Sequence, residues 1–207
     1  KYHFYSRDED ILNYLDITLS KMAKGGIYDH LEGGFARYST DNDWKVPHFE
    51  KMLYDNAQLA SLYTQAYLHT DNETYLKTAE ETLEFLKQRM LSEEGVFYSS
   101  YDADSEGEEG KYYTWSKQEI EDTFIKNSRI ISDYFGITEE GDIDHRNVLY
   151  IDMSLDELMK KYNLPVEQLE SLVEGAKEKL QIKRSMRKRP DLDTKVIVSW
   201  NALAIKA

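Results

Sequence analysis

The stretch from Lys24 to His69, KGGIYDHLEGGFARYSTDNDWKVPHFEKMLYDNAQLASLYTQAYLH, gathers the residues best suited to chemistry. His48, Glu50, Lys51 and Asp55 stand close together there. A cluster mixing imidazole, ammonium and carboxylates can hold a general acid or base at a shifted pKa. The same residues also admit a structural reading, because Lys51 and Asp55 are spaced as an i,i+4 ion pair and a histidine at a helix start is often simply hydrogen-bonded. Both readings stand at this point.

A second chemically loaded stretch is the acidic loop Asp102-Ala-Asp104-Ser-Glu106-Gly107. Acids at positions 1, 3 and 5 with glycine at 6 open a calcium-binding EF-hand loop, but position 12 is Tyr113 instead of glutamate and the flanks read as strands. The loop is read as a solvated acidic turn or an acidic wall beside a cleft, and no metal is assigned. Paired carboxylates for glycoside chemistry could be drawn from Asp55, Asp102, Asp104 and Glu106, but their separation is not legible in sequence. The five histidines, His3, His30, His48, His69 and His145, show no HxxxH or HExxH spacing. No nucleophile elbow, phosphate-binding glycine loop or cofactor motif is present.

The elements that must hold these groups read mostly as helices. Ile11, Leu15, Leu19 and Met22 make one apolar stripe over Asp8 to Lys24, ended by Gly25 and Gly26. A glycine- and aromatic-rich loop follows, from Ile27 to Lys45. Pro47 suits the first turn of a second helix running to about His69. On that helix His48, Lys51, Asp55 and Gln58 share one quadrant, continued by Leu59, Leu62 and Ala66, so its mouth is polar and its far end apolar. A third helix spans Asn72 to Met90. After Gly95 the period changes, and Val96–Ser100 with Lys111–Trp115 predict a β-hairpin around the acidic loop. Further helices are expected at Ser116–Lys126, Ser128–Phe135, Ser154–Tyr162 and Pro165 to about Arg187, with Ser199 as the N-cap of a last one. No βαβ alternation occurs, so the fold class is all-α, built from helical hairpins with a small inserted β-hairpin.

The 207 residues, 41% of them hydrophobic, suffice for a packed core. A net charge of −13 argues against nucleic-acid binding. The basic run Lys183–Arg189 fits a helix C-terminus instead. No apolar run of about 18 residues exists to cross a membrane. The lack of cysteine excludes disulfides and thiol nucleophiles and fits a reducing, cytoplasmic setting. The chain opens on Lys1 without a start methionine and closes a few residues into SWNALAIKA, which reads as a piece of a longer protein.

Three separated blocks, GGIYDHLEGGFARYSTDNDWKVPHFEKMLYDNAQL, FYSSYDADSEGEEGKYYTW and RPDLDTKVIVSWNALAI, resemble in order and spacing the helical part of the thioredoxin-domain-containing family that includes the spermatogenesis-associated protein 20 group. The resemblance implies an N-terminal thioredoxin-like domain outside this chain. It also implies an (α/α)6 toroid similar to the N-acylglucosamine 2-epimerases and six-hairpin glycosidases, of which residues 1–207 would be a part. In such toroids the cleft lies at one end of the inner helix ring, where loops 25–47 and 96–115 would gather. The catalytic candidates are then His48, Glu50, Lys51, Asp55 and Asp102. The substrate-binding candidates are Tyr28, Arg37, Tyr54, Asp104, Glu106, Trp115 and Trp200. The chain departs from the family pattern at Thr194, at Ala202 and at Glu32, where a charged side chain at the cleft rim replaces a glycine. The functional expectation is a carbohydrate-active domain, epimerase-like or glycosidase-like, with a carbohydrate as ligand. The alternative is a non-catalytic helical binding module that works with the thioredoxin-like domain. A partial ring is expected to self-associate through uncovered apolar flanks, and His48, Lys51, Asp55 and Asp102 are expected to lie near one another.

Overall fold

The computed structural model describes residues 9–207; His3 and the predicted helix start at Asp8 lie outside them. Eight α-helices carry about half of the described residues, with seven two-residue strands stitched between them. Helix α1 (Glu9–Lys24) leads into the glycine-rich loop. Strands β1 (Tyr38–Ser39) and β2 (Pro47–His48) pair antiparallel, and β3 (Lys51–Met52) runs straight into α2 (Leu53–Thr70). A two-residue connection, Asp71-Asn72, then reverses the chain into α3 (Glu73–Phe85), which continues as a π-helical turn over Leu86–Met90.

The predicted helix start at Pro47 is corrected here. Residues 47–52 are extended because their backbone is claimed twice, by β1 on one side and by β4 (Ser100–Tyr101) on the other. Lys51 faces Tyr101 across that ladder, so Lys51 and Asp55 do not sit on one helical face. The predicted hairpin is also displaced. Ser100–Tyr101 lies between β3 and β7 (Leu192–Asp193) in a three-stranded sheet, and the only tight hairpin of this segment is β5 (Asp104–Ser105) with β6 (Glu108–Glu109). Its turn residues Glu106 and Gly107 both have positive φ, 56° and 79°, as a two-residue hairpin requires. Lys111–Trp115 is not a strand; its aromatic residues plug neighbouring cores, Tyr113 beside Phe49 and Trp115 fully buried among α4–α7.

Helices α4 (Lys117–Thr123), α5 (Ser128–Phe135), α6 (Leu155–Tyr162) and α7 (Val166–Ser185) follow the predicted pattern. Ser116 and Ser154 open α4 and α6 with full capping boxes to Glu119 and Glu157. These four helices enclose a core of Trp115, Ile120, Ile131, Phe135, Leu158, Leu169, Val173 and Leu180. A second core joins α1 to the α2–α3 hairpin through Leu19, Phe35, Tyr63 and Tyr75. The tyrosines work at both ends here: Tyr63 is fully buried, and its hydroxyl donates to the Leu19 carbonyl at 2.8 Å. The last helix, α8 (Val198–Lys206), packs on α2; its N-cap is Ile197, not Ser199.

Candidate functional site

The start of α2 and the β1–β2 loop enclose an open cleft of about 620 Å³. Buried Asn56 sets its geometry: its side chain accepts from the Phe35 amide at 2.6 Å and donates to the carbonyls of Phe35 (3.0 Å) and Met52 (2.9 Å). The Arg37 amide then donates to the Glu50 carbonyl at 2.8 Å. These bonds place Arg37 and Tyr38 along one wall and Asp55 on the other, over a floor of Met22, Ile27, Ala36 and Leu59.

Asp55 is a half-buried carboxyl in the wall of this cleft. Its Oδ2 is buried and has no hydrogen-bond partner. Burial pushes its pKa up to about 6, opposed by the nearby Arg37, helped by the Glu50 carboxylate and lowered again by the side-chain hydrogen bond from Tyr54. Arg37 reaches Glu50 at 3.2 Å and remains 44% exposed at the side chain, so part of its guanidinium faces solvent. His48 stacks on Tyr38, with ring centroids 5.0 Å apart. Its Nδ1 lies 2.7 Å from Glu109 and its Nε2 lies 3.5 Å from Glu50. Glu109 thus ties the acidic hairpin to this stretch, a part that the sequence reading did not single out.

Behind the cleft lies a buried ionic network. Asp29 receives Lys51 at 2.8 Å and Arg184 at 2.9 Å, and Glu32 receives both Nη atoms of Arg189 (3.0 and 2.8 Å), Arg89 at 2.6 Å and Arg184 at 3.2 Å. The side chains of Asp29, Glu32, Lys51 and Arg184 are all at most 5% exposed. Burial alone would raise the Asp29 pKa, but Arg184 and Lys51 outweigh it and hold the carboxyl far below its ordinary range. Glu32 is likewise lowered, burial being outweighed chiefly by Arg189. Burial lowers the Lys51 pKa against the pull of Asp29. Tyr112 and Tyr113 close over Arg184 at 5.2 and 5.6 Å from its guanidinium carbon.

The structure divides the sequence-derived candidates. Arg37 and Asp55 line the cleft; Glu50 touches Arg37 and His48 beside it. Lys51 turns away into the ionic network and lies over the Phe85 ring at 4.4 Å. Asp102 is exposed, its carboxylate accepting from the Asp104 amide at 3.1 Å, so it caps its own turn. Asp104 and Glu106 are exposed on the hairpin, Glu106 pairing with Lys111. Tyr28 is core, donating to Glu81, and Trp115 is wholly enclosed under the Arg187 guanidinium at 3.9 Å. Tyr54 meets Trp200 edge-on at 4.7 Å, where α2 and α8 join. Glu32 is not a rim residue but the centre of an arginine cluster. Among the described residues no group of three or more His, Cys, Asp or Glu side chains is disposed to hold a metal ion. No helix among them is long and apolar enough to cross a membrane.

Residues 36–138 match the family described as the D-glucuronyl C5-epimerase C-terminus. The whole chain has closer kin. It is 36% identical to human spermatogenesis-associated protein 20 and to the mouse protein of that name, over 91% of this chain and 27% of each relative. An uncharacterised protein of Caenorhabditis elegans is 32% identical over 95% of the chain. The chain belongs to the spermatogenesis-associated protein 20 family, and it spans about a quarter of the length of these relatives. Every cleft residue from Ala36 to Leu59 falls inside the epimerase-matching segment, whereas Asp29, Glu32 and Arg184 fall outside it.

Proposed function

We propose that this domain carries out acid–base chemistry on a carbohydrate ring, of the kind that inverts a carbon bearing a proton next to a carboxylate. The observation that carries the reading is the Asp55 carboxyl, which is half-buried, lacks a hydrogen-bond partner at Oδ2 and titrates near neutrality in the wall of a sugar-sized cleft. With a pKa of about 6 it is mostly deprotonated at pH 7, yet basic enough to take a proton from carbon and acidic enough to return it. Arg37, half-free in the same wall, is suited to a substrate carboxylate, where it would stabilise the negative charge that develops when the neighbouring C–H bond breaks. The step is redox-neutral: the C–H electron pair moves into the carboxylate system, the proton goes to Asp55, and a proton is later returned to the opposite face. His48, held between Glu50 and Glu109, is the nearby candidate for that second proton.

The same reading takes the helices as part of an (α/α)6 toroid, with the cleft at the loop end of the ring, working in the cytoplasm beside a thioredoxin-like domain. Incubating the protein with uronosyl-containing oligosaccharides in D2O and following carbon-bound deuterium by mass spectrometry tests it. Incorporation that Asp55→Asn abolishes is expected. Sugar binding without exchange would favour the non-catalytic binding module instead.

A further inference from the structure

We infer that Trp44 is the stacking platform of the cleft, presenting its indole face to the C–H face of a pyranose ring. This rests on the carbohydrate reading above and adds a residue to it. Trp44 has φ of 63°, a left-handed conformation in which a bulky side chain is an outlier and for which glycine or asparagine is the relaxed choice. Such strain persists only where the surroundings over-determine it. They do so here from two sides. The Asp41 carboxylate accepts the amides of Asp43 (2.6 Å), Lys45 (3.3 Å) and Val46, which folds the loop tightly around position 44. From beneath, the Trp44 carbonyl accepts from the Ile27 amide at 3.3 Å, and a Cβ on Gly25 would come within 2.4 Å of that carbonyl oxygen. The loop backbone is therefore clamped against the end of α1, and the indole is held in the cleft wall.

The rest of the cleft suits one ring of a sugar. Tyr38 is 50% exposed on the same wall, Asn42 and Gln58 offer amide groups at the rim, and Asp55 offers its unpartnered oxygen. Large aromatic faces beside a few convergent polar groups are the usual make-up of a small-molecule site. Trp44 also packs against the core that joins α1 to the α2–α3 hairpin, and the strain of its backbone has a further use if the remaining indole face meets the ligand.

Intrinsic fluorescence and thermal shift, with glucose, N-acetylglucosamine, glucuronic acid and their short oligomers as probes, test this on the wild type and on single variants. Of the three tryptophans, Trp115 is fully enclosed, so Trp44 and Trp200 are the reporters to separate. The expected result is a sugar-dependent fluorescence change that survives Trp200→Phe. Binding measured by thermal shift should be kept in Trp44→Phe and weakened at least tenfold in Trp44→Leu, which keeps an apolar side chain and the backbone strain but no aromatic face. Trp44→Asn relieves the backbone strain but gives up packing on the α1 core, so it should lose binding while keeping a native circular-dichroism spectrum. A signal that vanishes in Trp200→Phe and persists in Trp44→Leu would overturn the platform and leave the carbohydrate reading standing. No response to any sugar would overturn both.

Discussion

Two titrating side chains with opposite signs can be tested one residue at a time. The Asp55 pKa of about 6 lies above the ordinary aspartate value of about 3.9, so between these values the folded state binds more protons than the unfolded one. Asp55 therefore favours the fold below about pH 4 and costs stability as pH rises through 6. Asp55→Asn is expected to melt higher than the wild type at pH 7.5, by less than about 1 kcal/mol given its partial exposure, and to match it near pH 4. A variant that melts lower at pH 7.5 would show that Asp55 is a structural group. His30 runs the other way. Burial, with Lys177 adding to it, lowers its pKa to about 4, and its Nε2 lies 3.0 Å from the Gly25 carbonyl. The unfolded chain protonates this imidazole near 6.5 and the folded one does not, so stability falls as pH drops from 6.5 to 4, by on the order of 3 kcal/mol. His30→Gln should flatten that part of the denaturation profile; an unchanged slope would exclude His30 as its source. The sequence offered Asp55 by its spacing and Arg37 through the family resemblance, but not Trp44 or Glu109, because a strained backbone angle and a contact across 61 positions leave no periodic trace.

At the scale of elements, the helices were legible because each carries its own signal: apolar period, serine caps with a glutamate three residues on, glycine at a C-terminus. The strands were not, since two-residue strands such as Lys51–Met52 are defined by partners far along the chain and not by alternation. Pro47 shows the ambiguity. A proline before a polar, helix-compatible run suits a helix start equally well as an extended segment, and the sheet partners decide. The ionic network was hidden for the same reason, Asp29 and Arg184 lying 155 positions apart. It also explains why the basic run Lys183–Arg189 is not merely a solvated helix end. Glu32→Gly is expected to cost about 3–5 kcal/mol in urea denaturation, because it leaves the half-buried Arg89 and Arg189 without their carboxylate and the buried Arg184 with Asp29 alone. The loss should shrink when Arg189→Met is added, with a coupling of about 1–3 kcal/mol. A cost under about 1 kcal/mol would mean that Asp29 alone sustains the arginines.

At the scale of the whole molecule, the surfaces around α2 and α8 decide how the domain behaves in solution. α8 buries part of itself: Trp200 and Ala204 pack with Leu53, Phe85 and Leu86, and Asn201 bonds both backbone groups of Phe97, at 2.7 and 2.9 Å. Trp200 thus meets the preceding helices as expected, and Leu203 is half-buried, but Ile205 is 81% exposed and Val198 82%. Elsewhere Leu62 and Leu68 on α2 and Tyr14 and Ile17 on α1 are also exposed. Scattered apolar side chains are normal on a protein surface, whereas a patch beyond a few hundred Å² usually meets a partner. The two cases separate by experiment. If these residues form a joining face, sedimentation of this chain should show association that rises with concentration, and Val198→Ser with Ile205→Ser should restore a monomer without lowering the melting temperature. That last condition matters, because two side chains already in water contribute little to the fold and their replacement should leave it intact. A stable monomer at high micromolar concentration would show that the exposed side chains of α2 and α8 do not join copies of this chain.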